Sequence, residues 1–171
     1  MRGLSKRIGL LLNLTHEELE DLEKAAFFHD IGKMVISQAI LHKPARLSDE
    51  EMAVIRTHPG MGAEILAPVT FLSSLAPFVK AHHENIDGLG YPDQRKKEEI
   101  PMLAKIITIA DSYDAMVSDR PYRKGLPHER AVAELRRCSG TQFDPELVEL
   151  FIRSFEQQAP PVCEGRDRLP W

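Results

Sequence analysis

Apolar residues recur along this chain at helical spacing, and polar punctuation divides them into helix-length runs. Residues 4–13 read as the end of a helix. Thr15-His16-Glu17-Glu18 has the form of a capping box, in which the threonine hydroxyl accepts a backbone N–H and the glutamate reaches back. Leu19, Leu22, Ala26 and His29 follow with the helical period, so a histidine closes an apolar stripe. Ser48-Asp49-Glu50-Glu51 is a second capping box. It opens a helix through Met52 and Ile55 that ends at His58, with Pro59 and Gly60 breaking or restarting it. Residues 63–66 and 71–83 give further helical stretches around Pro68 and Pro77.

Residues 85–99 are polar and rich in turn formers, including Asp87-Gly88, Gly90 and Pro92-Asp93, and predict a loop. Pro101 suits the first turn of the next helix. The run 106–109 could pass for a strand, but the apolar pattern continues to Met116 and favours a helix carrying Asp111 and Asp114. Pro127 opens another helix to about Cys138, and Asp144-Pro145 caps and opens the last, through Leu147, Leu150 and Phe151. The pattern predicts an all-α domain over residues 1–157, followed by a mobile tail over 158–171 that ends in Trp171.

Composition narrows the class without changing the architecture. The chain has 171 residues, 43% hydrophobic and 28% charged, which suits a single globular domain with a real core. Its formal charge of −4 argues against duplex DNA as the main partner. Two cysteines, Cys138 and Cys163, support no disulfide framework, so a cytoplasmic, reducing setting is expected. No apolar run predicts a membrane span, and no cleavage site after the basic N-terminus predicts a signal peptide.

The informative residues are polar groups on apolar stripes. His29-Asp30 follows Ala25-Ala26-Phe27-Phe28, and burying that pair is costly unless something compensates it. Singly, His58 reads as a capping histidine, one of His82-His83 could face solvent, and Asp111 could be a core carboxylate paired with an arginine. Together, four segments deliver His or Asp to the end or buried face of a helix, and bundles build metal sites from such positions. Imidazoles plus carboxylates without thiolate suit iron, manganese or zinc. Two ions bridged by an aspartate could activate water and clamp a phosphoryl oxygen. His16, His42 and His128 sit in polar or turn contexts and read as solvated histidines or caps. Residues 95–99 read as a solvated charged loop, and Leu135-Arg136-Arg137 as an exposed helix face.

His29-Asp30-Ile31-Gly32-Lys33 resembles the signature of the HD phosphohydrolase superfamily. The run from His82-His83-Glu84 through Asp87-Gly88 to Gly90-Tyr91-Pro92 resembles the HHE-x-x-DG-x-GYP motif of its HD-GYP branch. Asp111-Ser112-Tyr113-Asp114-Ala115-Met116, Asp119-Arg120-Pro121-Tyr122-Arg123 and Phe143-Asp144-Pro145 resemble the later blocks, so the likeness covers most of the chain. It implies an HD-domain helical bundle with a metal centre in its core. It also implies a bacterial phosphodiesterase hydrolysing cyclic di-GMP to pGpG or GMP with two transition-metal ions, iron or manganese. By position, Asp30 would bridge the ions, His29 and Asp111 would hold the first, and His58, His82 and His83 the second. Lys33 would act near the scissile phosphate, and Tyr91, Arg120 and Arg123 would bind substrate. A diguanylate cyclase domain or a sensor domain is the protein partner the family suggests.

The sequence departs from that pattern at its start. The family's first site also uses a histidine on the preceding helix and, in some members, a glutamate one turn earlier. Alignment places both upstream of Met1, so the first site is expected to be short of a ligand, either in a cut chain or in one that lacks it, and the first helix is expected to fray. Gln94 and Lys97 replace loop glycines, and Lys105 replaces an arginine. The rival reading is a catalytically weak or inactive signalling module that binds nucleotide or a partner protein. A narrower one is an HD phosphohydrolase for another nucleotide.

Overall fold

The computed structural model describes residues 1–119 and 124–156, which fold as a helical bundle with no strand among them. Its helices are α1 (Arg2–Leu11), α2 (His16–Phe28), α3 (Gln38–Leu41), α4 (Asp49–Ile55), α5 (His58–Leu66), α6 (Ala76–Lys80), α7 (Met102–Val117), α8 (His128–Arg137) and α9 (Pro145–Glu156). Arg120, Arg123 and the predicted tail with Trp171 lie outside the described residues.

The long helix α7 is the axis of the bundle, packing against α1, α2, α6, α8 and α9. Every residue from Ile106 to Ala110 is buried, so the helix is covered on all sides. This is why a β-branched run becomes helix: continuous burial inside a bundle overrides the strand preference of isoleucine and threonine. Each fully buried isoleucine there contributes about 1.5–3 kcal/mol through removal of apolar surface from water. Around α7 the core gathers Ile8, Leu22, Leu75, Val79, Leu135, Val148 and Phe151.

Both capping boxes form as predicted. Thr15 accepts from the Glu18 backbone N–H and Ser48 from that of Glu51, while each glutamate returns a bond to its cap residue. The start of the next helix differs from expectation. His58 does not end the helix that Ser48 opens; it is the first residue of α5, and Pro59 sits in the first turn. A proline there lacks only an N–H that has no helical partner anyway, so it starts a helix as readily as it breaks one. Leu135 is fully buried while Arg136 and Arg137 are exposed, so only the arginines form the expected outer face of α8. The first helix is held by buried Ser5, Ile8 and Gly9 against α2, α7 and α9.

Two glycines set close contacts. A Cβ on Gly32 would lie 2.0 Å from the His58 carbonyl oxygen and 2.6 Å from the Gly62 nitrogen. Only glycine lets the 3-10 turn Ile31–Val35 press onto α5, which brings Asp30 beside His58. A Cβ on Gly90 would lie 2.3 Å from the Asn85 nitrogen, so the loop after His83 folds back on itself only with glycine there.

Candidate metal centre

Five segments bring their polar residues to one end of the bundle. His29 caps α2 at its C-terminus, and Asp30 begins the 3-10 turn that also carries Lys33. His58 opens α5, His82 and His83 occupy the turn after α6, and Asp111 lies on α7. The turn is tied to α7 by Thr108, whose hydroxyl proton is shared between the His82 carbonyl at 2.7 Å and the Ala104 carbonyl at 2.9 Å.

One device recurs at three of these histidines. The Nδ1 atoms of His29, His58 and His82 lie 3.0, 2.8 and 2.6 Å from the carbonyls of Ala26, Ile55 and Val79, each three residues earlier. A carbonyl only accepts, so each Nδ1 carries the proton, and in the neutral ring Nε2 is a bare lone pair. The Nε2 atoms of His58 and His82 then face each other at 3.3 Å, and Asp30 Oδ1 lies 3.2 Å from His58 Nε2. That Oδ1 is buried and has no hydrogen-bond partner among the described residues. His58, His82 and His83 offer ligand atoms within 4.8 Å of one another.

Electrostatics separates two halves. Burial, reinforced by His83, pushes the His82 pKa well below its ordinary value, and burial with the nearby His58 pushes that of His83 down to about 3. Both rings are therefore neutral donors. Burial also pulls on His29, but the hydrogen bond to Asp111 and the charges of Asp30 and Asp111 outweigh it and raise its pKa. His29 Nε2 lies 3.4 Å from Asp111 Oδ1 and 3.5 Å from Asp30 Oδ2. Burial is the largest influence on Asp111 and raises its pKa, but the hydrogen bond and the charge of His29 together outweigh it and lower the carboxyl. For Asp30, burial is likewise outweighed, by the charge of His29 and by the bond and charge of Lys33, and the carboxyl lies far below the usual range. Lys33 Nζ pairs with Asp30 Oδ2 at 2.7 Å rather than standing free.

The arrangement fits a cation. Converging nitrogen lone pairs with an unpartnered carboxylate oxygen repel one another unless something positive lies between them, and tethered Nδ1 protons are what orient imidazole toward a metal. Nitrogen and oxygen donors without thiolate favour a first-row ion such as iron, manganese or zinc.

Beside the centre, the Tyr91 ring stacks on His83 at 4.8 Å and 27°, where the sequence placed a substrate-facing tyrosine. Burial pushes its phenol up to about 12, so it stays a donor at neutral pH. The loop is fixed from behind by Glu84, 2% exposed, whose carboxylate accepts from the Asp93 N–H at 2.7 Å and the Arg95 N–H at 2.9 Å. Sequence reasoning missed this clamp, because its partners are backbone groups with no residue signature. It also missed Arg56, whose guanidinium lies 5.6 Å from the Tyr91 ring centroid. Part of the charged loop is structural too: Lys97 pairs at 3.2 Å with buried Asp144, and Lys105 approaches the same carboxylate at 3.7 Å. His128, read as solvated, is exposed but bonds the Tyr113 hydroxyl at 2.8 Å and packs on Phe155.

The sequence matches the family model described as HD domain over residues 1–147. The chain belongs to the HD-domain family. Its HD dyad is His29-Asp30, and the dyad stands at the junction of the two halves. The HD domain is 39% identical over 154 residues to the cyclic di-GMP phosphodiesterase response regulator RpfG of Xanthomonas campestris pv. campestris, covering 89% of this chain and 40% of that protein. It is 40% identical over 161 residues to a cyclic di-GMP phosphodiesterase of Vibrio cholerae, covering 90% of this chain and 33% of that one. The chain thus spans less than half the length of these curated relatives. A crystal structure of a cyclic GMP-AMP specific phosphodiesterase from V. cholerae superimposes with a TM-score of 0.68 at 24% identity, over 91% of this chain and 42% of that one, and shows the same fold.

Proposed function

We propose that this HD domain is a metal-dependent phosphodiesterase that hydrolyses cyclic di-GMP to pGpG or GMP in bacterial signalling. The observation that carries this reading is the buried, unpartnered Asp30 Oδ1 facing the tethered Nε2 atoms of His58 and His82. It is supported by relatives named cyclic di-GMP phosphodiesterases at about 40% identity.

In this reading Asp30, His58, His82 and His83 would hold one ion. His29 and Asp111, together with Asp30, would hold a second. When bound, such ions supply Lewis acidity toward a phosphoryl oxygen and a nucleophilic water at neutral pH. Asp30 Oδ1 faces the histidine cluster and Oδ2 faces His29, so one carboxylate serves both halves. Lys33 is held within reach of the same point and supplies positive charge to a phosphate there once it leaves Asp30. Tyr91 presents a protonated phenol from the neighbouring wall. By family position Arg120 and Arg123, outside the described residues, would bind substrate phosphate or guanine. Iron or manganese suits the donor set.

No helix among the described residues is long and apolar enough to cross a membrane. The reading places the domain in the cytoplasm, with a diguanylate cyclase or sensor domain as its protein partner. The test is chromatography of nucleotide products from metal-loaded protein. Cyclic di-GMP should be consumed by the parent and not by Asp30→Ala. Comparable turnover by the two would refute a reaction centred on this carboxylate.

A further inference from the structure

Next to the histidine cluster lies a cleft of about 360 Å³, with Arg56, Asn85, Tyr91 and Gln142 among its walls. A volume of this order holds a nucleobase with its sugar. Among the described residues its lining contains a phenol ring, side-chain amides and one guanidinium, and no carboxylate.

Arg56 is well placed. It caps the C-terminus of α4, its backbone N–H bonded to the Met52 carbonyl, two residues before His58. Its side chain is exposed, lies over Tyr91, and has no carboxylate within ion-pair distance among the described residues. A phosphate subsite gathers several cations or backbone N–H groups; this cleft offers one cation, amides and a flat ring. That is the profile of a purine site, with a π-face to stack on and donors and acceptors around the edge.

The edge chemistry selects the purine. Guanine presents O6 and N7, two adjacent acceptors, whereas adenine presents N7 beside an N6 amino donor. A guanidinium carries donors only, so it pairs with both guanine acceptors and meets the adenine amino group donor to donor. The guanine N1–H and N2–H₂ donors need acceptors, which the amide oxygens of Asn85 and Gln142 can supply. Asn85 is fixed in place, since its backbone lies under Gly90, where no Cβ would fit.

We propose that Arg56 is a specificity-determining residue, selecting guanine over adenine for the base held against Tyr91. This rests on the phosphodiesterase reading and names the residue that chooses among cyclic dinucleotides. A base that takes the place of Arg56 on Tyr91 replaces one π contact by another and leaves the guanidinium at its edge.

The experiment is equilibrium titration of metal-loaded protein with cyclic di-GMP and cyclic di-AMP, for the parent, Arg56→Ala and Arg56→Met, with metal content measured on each sample. The parent should prefer cyclic di-GMP. Both variants should lose about 10- to 100-fold in cyclic di-GMP affinity, keep their cyclic di-AMP affinity and keep their metal, so that the preference collapses. Equal weakening toward both nucleotides would show a phosphate contact and overturn base selection. A variant that retains the parent's preference would overturn it as well, while a parent that still hydrolyses cyclic di-GMP leaves the phosphodiesterase reading standing. A parent that binds neither nucleotide would take down that reading and this one together.

Discussion

The two halves of the centre are built from similar residues and solve opposite problems. On the His58, His82 and His83 side, burial holds the His82 and His83 rings neutral, and the Nε2 atoms of His58 and His82 converge near an orphaned carboxylate oxygen. On the His29 and Asp111 side, imidazole and carboxylate neutralise each other, with the histidine pKa raised and the carboxylate lowered. The first arrangement is incomplete without a cation. The second is already satisfied by a proton, which any metal must displace. The lesson is that donor type alone does not rank sites; what each donor touches in the metal-free protein decides which half is pre-formed.

The largest expected effect tests that ranking. Replacing both His82 and His83 by alanine should empty the protein of metal after dialysis, whereas His29→Ala should retain about one tightly held equivalent, read by elemental analysis. If His29→Ala strips the protein as completely as the double variant, the halves are not independent and the comparison fails. Next comes the packing that joins them. Gly32→Ala drives a Cβ into the His58 carbonyl and should cost about 3 kcal/mol in urea unfolding, with loss of metal from the His58 side first.

A smaller effect lies in pH. His82 and His83 have folded pKa values below the ordinary 6.5, so the unfolded chain binds more protons and stability falls as pH drops below about 6.5. His29 has a raised value; its contribution is complete below 6.5 and fades as pH rises through its folded pKa. Metal-free protein should therefore unfold at lower urea at pH 5 than at pH 6.5. His83→Gln should flatten that slope by up to about 1.4 kcal/mol per pH unit. An unchanged slope would show that His83 is charged in the folded state. The smallest effect is outside both halves: His128→Ala removes the bond to Tyr113 and should cost about 1 kcal/mol, with metal content unaltered.

Much of this was legible along the chain, for reasons that differ by residue. Thr15 and Ser48 announce helix starts because capping is local chemistry. His29, His58, His82, His83 and Asp111 stand out because polar groups on apolar stripes must converge on something, and the structure brings all five together with Asp30. His58 was assigned to the wrong helix because Pro59 reads equally as a stop or a first-turn residue. Glu84 and Arg56 were missed because their roles depend on backbone groups and a ring brought near by folding. The family resemblance supplied the division into two ion sites; spacing by itself did not.

The histidine tethers also bear on the mechanics of the chain. A cation gripped by Asp30, His58 and His82 would act as a cross-link between three stretches of backbone far apart in sequence. His58 and His82 are separated by 24 positions. Closing a loop of that length removes about 3 kcal/mol of chain entropy from the unfolded ensemble by the polymer estimate used for disulfides. Because each clasped ring is pinned to the last turn of its own helix, or to the turn just before the next one, slack at any one of those ends would be felt at the other two. Such a cation would then do for this cysteine-poor chain what a covalent bridge does elsewhere, with the difference that a chelator can undo it.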